Sequence, residues 1–260
     1  MGLQKKYLDV ILVPCGLVVM FIYHLCLLYK IIKFPHTTTI GYENHNKKAW
    51  VERMMQMDSE MKEKTGIALQ VISGNLSAAT YLASLSIGLS SLIGAWVGSS
   101  SNNIFMSDLV YGDTSASTIT VKYISLLACF LLAFACFIHS TRYFVHANFL
   151  ISTPYTDIPV KHVQLAVIRG SDFWSLGLRA LYFATTLLLW IFGPIPMFAS
   201  SVIMVSVLYF LDSNSVPLHQ YAPPKAALRG GYGIPVGRTD GLTSTTLFEA
   251  LQSHQLSSAM

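Results

Sequence analysis

Four long apolar runs, almost free of Asp, Glu, Lys and Arg, constrain this chain more than any motif in it; they occupy residues 8–29, 67–97, 119–138 and 178–211. About 20 helical residues cross a bilayer core roughly 30 Å thick. Lipid offers no water to satisfy the backbone, so each run must close its own hydrogen bonds as a helix. The runs lack the period-two alternation of a barrel strand, which argues against a β-barrel. With 53% hydrophobic and only 12% charged residues, the composition is also wrong for a soluble domain. The expected fold is an all-α integral membrane protein, a four-span helical bundle over residues 1–211. A tail over 212–260, rich in Pro, Gly, Ser and Thr, is expected to be disordered, with a short helix at Thr245–Leu256 on contact with a partner.

Lys5 and Lys6 precede the first run as in a signal peptide, but the run is too long and no small-x-small site follows before Lys30, so it reads as a retained span. Gly2 is no myristoylation signal, because Lys6 stands where the motif wants Ser or Thr. Cys15, Cys26, Cys129 and Cys136 all lie within spans and read as small packing residues. The net charge of +4 calls for no nucleic-acid partner, since no basic stripe interleaved with aromatics appears; membrane lipids are the simpler partner.

Lys and Arg accumulate in cytoplasmic loops. Lys30, Lys33, Lys47, Lys48, Arg53, Lys62, Lys64, Arg142, Lys161, Arg169 and Arg179 follow spans one and three. Lys5, Lys6, Lys122, Lys225, Arg229 and Arg238 fall on the other side. The connection 98–118 carries Asp108 and Asp113 but no Lys or Arg, as a translocated loop should. Four crossings in this sense put both termini on the non-cytosolic face of a plasma membrane or endomembrane. The one sequon, Asn75-Leu76-Ser77, lies inside span two and should stay unmodified.

Between spans one and two, Trp50, Met54, Met57 and Met61 recur at helical spacing, with Asp58–Lys62 and Glu60–Lys64 as i,i+4 pairs. This predicts a cytoplasmic amphipathic helix over residues 47–64, capped by Asn46 and lying at the lipid surface. In span two, Gly74, Ala78, Ser84, Gly88, Ser90, Ser91 and Gly94 form a small-residue face suited to close helix packing, within the chain or between copies in a homo-oligomer. Beyond span three, His139, Arg142, Tyr143 and His146 share one helix face. Read blandly they snorkel at headgroup depth; read sharply, His139, Arg142 and His146 contact lipid phosphate or another anion. His24 and His139 lie at similar depth, which raises a weak bis-imidazole haem site. A metal site is poorer, because Arg142 intrudes and no acid or thiol completes a ligand set.

The fourth run is interrupted at Gly193-Pro194-Ile195-Pro196. Each proline removes a donor and displaces the preceding residue from the α region. Each half looks too short to cross alone, which leaves a kinked crossing helix or a hairpin that returns; the kink is the commoner case. Broken helices hold substrate sites in some transporters.

Taken together, Tyr23-His24, Gly41, Asn44-His45, Trp50, His146, Phe149-Leu150, Arg169-Gly170, Phe173 to Ala180 and Trp190 to Pro194 resemble the plant and bacterial membrane proteins grouped as domain of unknown function 599. The resemblance covers residues 8–211 and implies a multi-pass, plant-type membrane protein. It brings no activity and no site residues. No Gly-x-Ser-x-Gly, Walker-type loop or His-Glu-x-x-His is present. The expected function is that of a non-enzymatic membrane scaffold or interaction protein without cofactor, engaging membrane or cytosolic protein partners. The alternatives are a small oligomeric channel or transporter and, third, a haem redox protein.

Overall fold

In a computed structural model, which describes residues 2–55, 61–98, 115–153 and 158–218, the apolar runs are helical. The expected pairs Asp58–Lys62 and Glu60–Lys64, the loop acids Asp108 and Asp113, and the tail from residue 219 lie outside the described residues or side chains. The order is α1 (Gly2–Lys33), a 3-10 turn (Pro35–Thr37), α2 (Thr39–Met55), α3 (Met61–Gly98), α4 (Ala116–Ser152), α5 (Val160–Leu189) and α6 (Pro194–Asp212). Extended pairing among the described residues is confined to the isolated bridge between Thr38 and Ser213. Four helices contain segments long and apolar enough to cross a membrane: Tyr7–Lys33, Thr65–Ala95, Ala116–Ser152 and Pro194–Asp212. The protein is an all-helical integral membrane protein.

Helices α3, α4 and α5 pack as successive antiparallel neighbours. Phe137 of α4 lies against Gly177 of α5 and, seven residues on, Phe144 lies against Gly170, so the two helices run in opposite directions. Ser140 Oγ donates to the Gly170 carbonyl at 2.7 Å, which requires close backbones. On α3 the buried positions are Ala68, Ile72, Ala79, Ala83, Ser86, Ser90 and Ile93. Their three- and four-residue spacing is that of a helix seam. Of the small-residue face expected from sequence, only Ser90 lies in this seam, and a Cβ on Gly74, Gly88 or Gly94 would meet nothing within 4 Å. The glycines that permit close packing are Gly170 and Gly177, where a Cβ would come within 2.9 Å and 2.8 Å of phenylalanine ring carbons.

The fourth apolar run is two helices, not one kinked span. At the end of α5 the amides of Trp190, Ile191, Phe192 and Gly193 bond three residues back, at 3.1–3.2 Å, tightening the last turn. Gly193 then adopts φ 145° and ψ 171°, a region that residues with a Cβ avoid. Pro194 follows as the first residue of α6, and Pro196 lies in the same first turn. Amides in a first helical turn have no intrahelical acceptor, so neither proline sacrifices a hydrogen bond there. The prolines start a helix instead of kinking one. The chain reverses, because Arg179 of α5 pairs with Asp212 at the end of α6. In one continuous helix these residues would lie about 50 Å apart. At 19 residues, α6 alone reaches roughly 28 Å, close to the thickness of a bilayer core.

Helix α6 runs parallel to α1. Met197 and Ser201 sit against Gly16, and farther along Tyr23 meets Asp212. Asn214 closes the far end by donating to the carbonyls of Thr37 at 3.0 Å (backbone amide) and His36 at 3.0 Å (side chain). The chain therefore leaves α6 at the end of the bundle where α1 finishes. At the opposite end, Trp190 Nε1 donates to Asp9 Oδ1 at 2.8 Å, and Lys122 Nζ stands 5.4 Å from the Trp190 ring.

The amphipathic helix begins earlier than expected. Residues 47–55 belong to α2 and 61–64 to α3, and the part of the expected helix between them lies outside the described residues. Gly41 sets its approach: a Cβ there would lie 2.0 Å from the Pro35 carbonyl oxygen. The apolar face of α2 is turned onto protein. Val51 is fully buried among Ile72, Phe144, Val163 and Val167, with Trp50 and Met55 beside it. Asn44 donates to Asp172, Lys47 to Ser171, and Gln164 to the Lys48 carbonyl, so α2 runs lengthwise and antiparallel along the first half of α5.

Candidate functional site

The polar residues of this bundle gather at its basic end, the end reached by the C-termini of α1 and α6. Asp212 is the focus. Its Oδ2 accepts from the Tyr23 hydroxyl at 2.5 Å, and its Oδ1 accepts from Arg179 Nη2. The Arg179 and Asp212 side chains retain only 15% and 10% of their accessible surface. A carboxylate held by two charge-assisted bonds at such burial is strongly anchored, because each lost bond would leave a desolvated charge behind. Each partner comes from a different helix, so the triad ties α1, α5 and α6 together. A cleft of about 130 Å³ adjoins it, bordered by Tyr23, Lys30, Thr38 and Tyr209.

His24 sits beside this triad. Its Nδ1 lies 2.7 Å from the Met20 carbonyl, an atom that only accepts, so Nδ1 carries the proton. Its ring packs at 5.0 Å from Phe183 and edge-on to Tyr23. His139 packs elsewhere, 5.1 Å from Phe173. Phe173 and Phe183 are ten positions apart on α5, about 15 Å along its axis, so the two imidazoles pack against α5 at different levels.

The outer face of α4 keeps the expected stripe. His139, Arg142 and His146 are exposed, and Tyr143 is partly covered. The structure adds α5 to it: Tyr143 stacks on Phe173 at 5.7 Å, and the Arg169 guanidinium lies 5.9 Å from the Tyr143 ring. On the other side of the α4–α5 pair, α2 and α3 diverge around a groove of about 490 Å³. Phe144, Ile72 and Val167 line its apolar part, while Lys47, Asn75 and Ser171 supply polar groups.

At the break Gly193 and Pro194 are buried, whereas Phe192, Ile195 and Pro196 are exposed. Met197 and Trp190 belong to the core that includes Val13, Tyr123, Leu126 and Leu187. Sequence reading treated Arg179 as a loop cation and Asp212 as the first residue of the tail, and gave Asp9 no role. One signal was available: Asp9 and Asp212 bound apolar runs, and an ionisable group at such a place calls for a partner.

Neither a curated protein nor a solved structure matches the chain. The model of the family described as "Protein of unknown function, DUF599" matches residues 11–217. That stretch contains the reversing turn, the Tyr23–Asp212–Arg179 triad and the α2 packing, and the chain belongs to this family.

Proposed function

We propose that the protein is a non-enzymatic interaction protein of a plant cell membrane that presents its basic end to cytosolic partners. The observation that carries this reading is the α2 platform. Together with the adjoining parts of α3, α4 and α5, α2 encloses a core of its own around Val51, Phe144, Ala147 and Val163. A platform packed in this way holds its outer side chains in fixed positions, which suits recognition.

The orientation follows from charge. Among the described residues, Lys30, Lys33, Lys47, Lys48 and Arg53 lie at or beyond the end of α1 and Arg142, Lys161 and Arg169 stand near the turn from α4 to α5, against Lys5, Lys6 and Lys122 opposite. That asymmetry supports a cytosolic basic end. In this reading the N-terminus and the exit of α6 lie on opposite faces, where four crossings imply a shared face. A C-terminal tag should be digested by protease added to the cytosolic side; protection would overturn this orientation. A photoreactive residue at Lys48 should give protein adducts in intact cells, and one at lipid-facing Ile22 should not. Lipid adducts alone at both positions would count against an interaction role.

A small channel or transporter is the second reading, supported by the buried Arg179–Asp212 pair and its adjoining cleft. Ionisable groups at membrane depth often mark ion paths. Burial of Gly193 and Pro194 at the turn gives this reading no help. Reconstituted vesicles separate the two: a solute flux abolished by Asp212→Asn would favour transport, and no flux in an ion and metabolite screen would favour the interaction role.

A further inference from the structure

Among the described residues, the outer face of α4 carries a cationic surface whose arginines no carboxylate balances. No Asp or Glu occurs anywhere in α4, and the one acid of α5, Asp172, accepts from Asn44 on the α2 side. Around the outer face of α4, Arg142, His139 and His146 stand exposed, and Arg169 joins them from α5. Among the described residues, neither arginine pairs with an acid.

The surface is ordered. His139 packs on Phe173, Phe173 stacks on Tyr143 with an interplanar angle of 15°, and Arg169 covers Tyr143. This ladder bridges α4 and α5 and fixes the position of one guanidinium relative to the stripe that holds the other. Its neighbours identify the medium. Ile138, Val145 and Phe149 are 45%, 51% and 67% exposed on the same helix. A surface meant for an acidic soluble protein would not be interleaved with large bare apolar side chains. The ladder also stands where the charge-free stretch of α4, from Tyr123 to Ile138, ends, at the depth of lipid headgroups.

We propose that this arc is a binding site for the headgroup of an anionic phospholipid, with Arg142 and Arg169 contacting phosphate oxygens, His139 and His146 on its border, and Ile138, Val145 and Phe149 against the acyl chains. Guanidinium is suited to the task, since its planar donors match phosphate oxygens. The site needs no assumption about which face of the membrane is cytosolic.

The test uses the full chain in nanodiscs containing equal phosphatidylserine and phosphatidylcholine, followed by native mass spectrometry of retained lipid. Wild type should retain phosphatidylserine preferentially. Each of Arg142→Gln and Arg169→Gln should lower that preference roughly fivefold, and the double variant by about 25-fold, as expected for one juxtamembrane cation each. Lys30→Gln, away from the arc and engaged with Tyr209, is the control that should retain it. Equal retention of both lipids by wild type overturns the proposal. So does an undiminished preference in a double variant that elutes as a folded protein. Displacement of phosphatidylserine by millimolar inorganic phosphate would reassign the site to a free anion, and retention of an acidic peptide in place of lipid would reassign it to a protein partner.

Discussion

Replacing Asp212 tests the reversal of the last two helices and the energetics of the triad together. Asp212→Asn removes the charge that holds Arg179 and Tyr23 while nearly preserving shape. Arg179 retains only 15% of its side-chain surface, and its Nη1 is already buried without a partner. Its charge would lose its counter-ion with little water to replace it. Removing one member of a buried ion pair costs about 3–5 kcal/mol. The side chains keep some access to solvent, so the low end, about 3 kcal/mol, is expected. Tyr23→Phe removes one hydrogen bond to a charged acceptor and should cost about 1.5–2 kcal/mol. The decisive quantity is coupling. In a double-mutant cycle with Arg179→Gln and Asp212→Asn, measured by reversible unfolding in mixed micelles, the interaction energy should be at least about 2 kcal/mol. A single kinked helix over residues 178–211 would place these residues about 50 Å apart, and residues that distant add independently. Coupling below about 0.5 kcal/mol would refute both the hairpin and the triad.

Five further substitutions test the packing. Gly177→Ala should destabilise by about 1–3 kcal/mol, because the new methyl meets Phe137 at 2.8 Å; Gly88→Ala should be neutral or stabilise by up to about 1 kcal/mol, because it meets nothing. Thermal unfolding in detergent compares the two, and equal effects would show that the α3 and α5 faces are assigned wrongly. Gly193→Ala should lose about 1–3 kcal/mol through backbone strain at φ 145°, whereas Pro194→Ala should cost less than about 1 kcal/mol, read in the same assay. Trp190→Phe strips one donor from buried Asp9 and should cost about 1.5–3 kcal/mol, with expression of folded protein followed by size exclusion.

The helices were legible because a lipid environment leaves the backbone few options: a charge-free run of about 20 residues can only be a helix. Their neighbours were not. On α3, small residues occupy several faces, and composition cannot distinguish the seam of Ala79, Ala83, Ser86 and Ser90 from the open glycines. On α5 the reverse holds: Gly170 and Gly177 lie seven residues apart among bulky side chains, a spacing whose purpose emerges only with Phe144 and Phe137 in place. The proline pair leaves a kink and a returning hairpin both open in the sequence, for a local reason. Pro-x-Pro within a long apolar run reads as a flaw in a crossing helix, yet in a first turn it breaks no hydrogen bond, and only the positive φ of Gly193 distinguishes the two cases.

The candidate site depended on that same point. With 178–211 drawn as one helix, Arg179 and Asp212 belong to opposite ends and Tyr23 has no reason to be near either. Once the chain reverses at Gly193, the three meet, Asn214 reaches the turn after α1, and the end of α6 is carried to the basic end of the bundle. The turn itself is apolar, with Gly193 and Pro194 buried, whereas the Tyr23–Asp212–Arg179 triad lies roughly 28 Å away at the other end of α6. The role of Gly193 and Pro194 is therefore topological. They determine which ionisable groups meet, and a search for function is better directed at Asp212 than at the break.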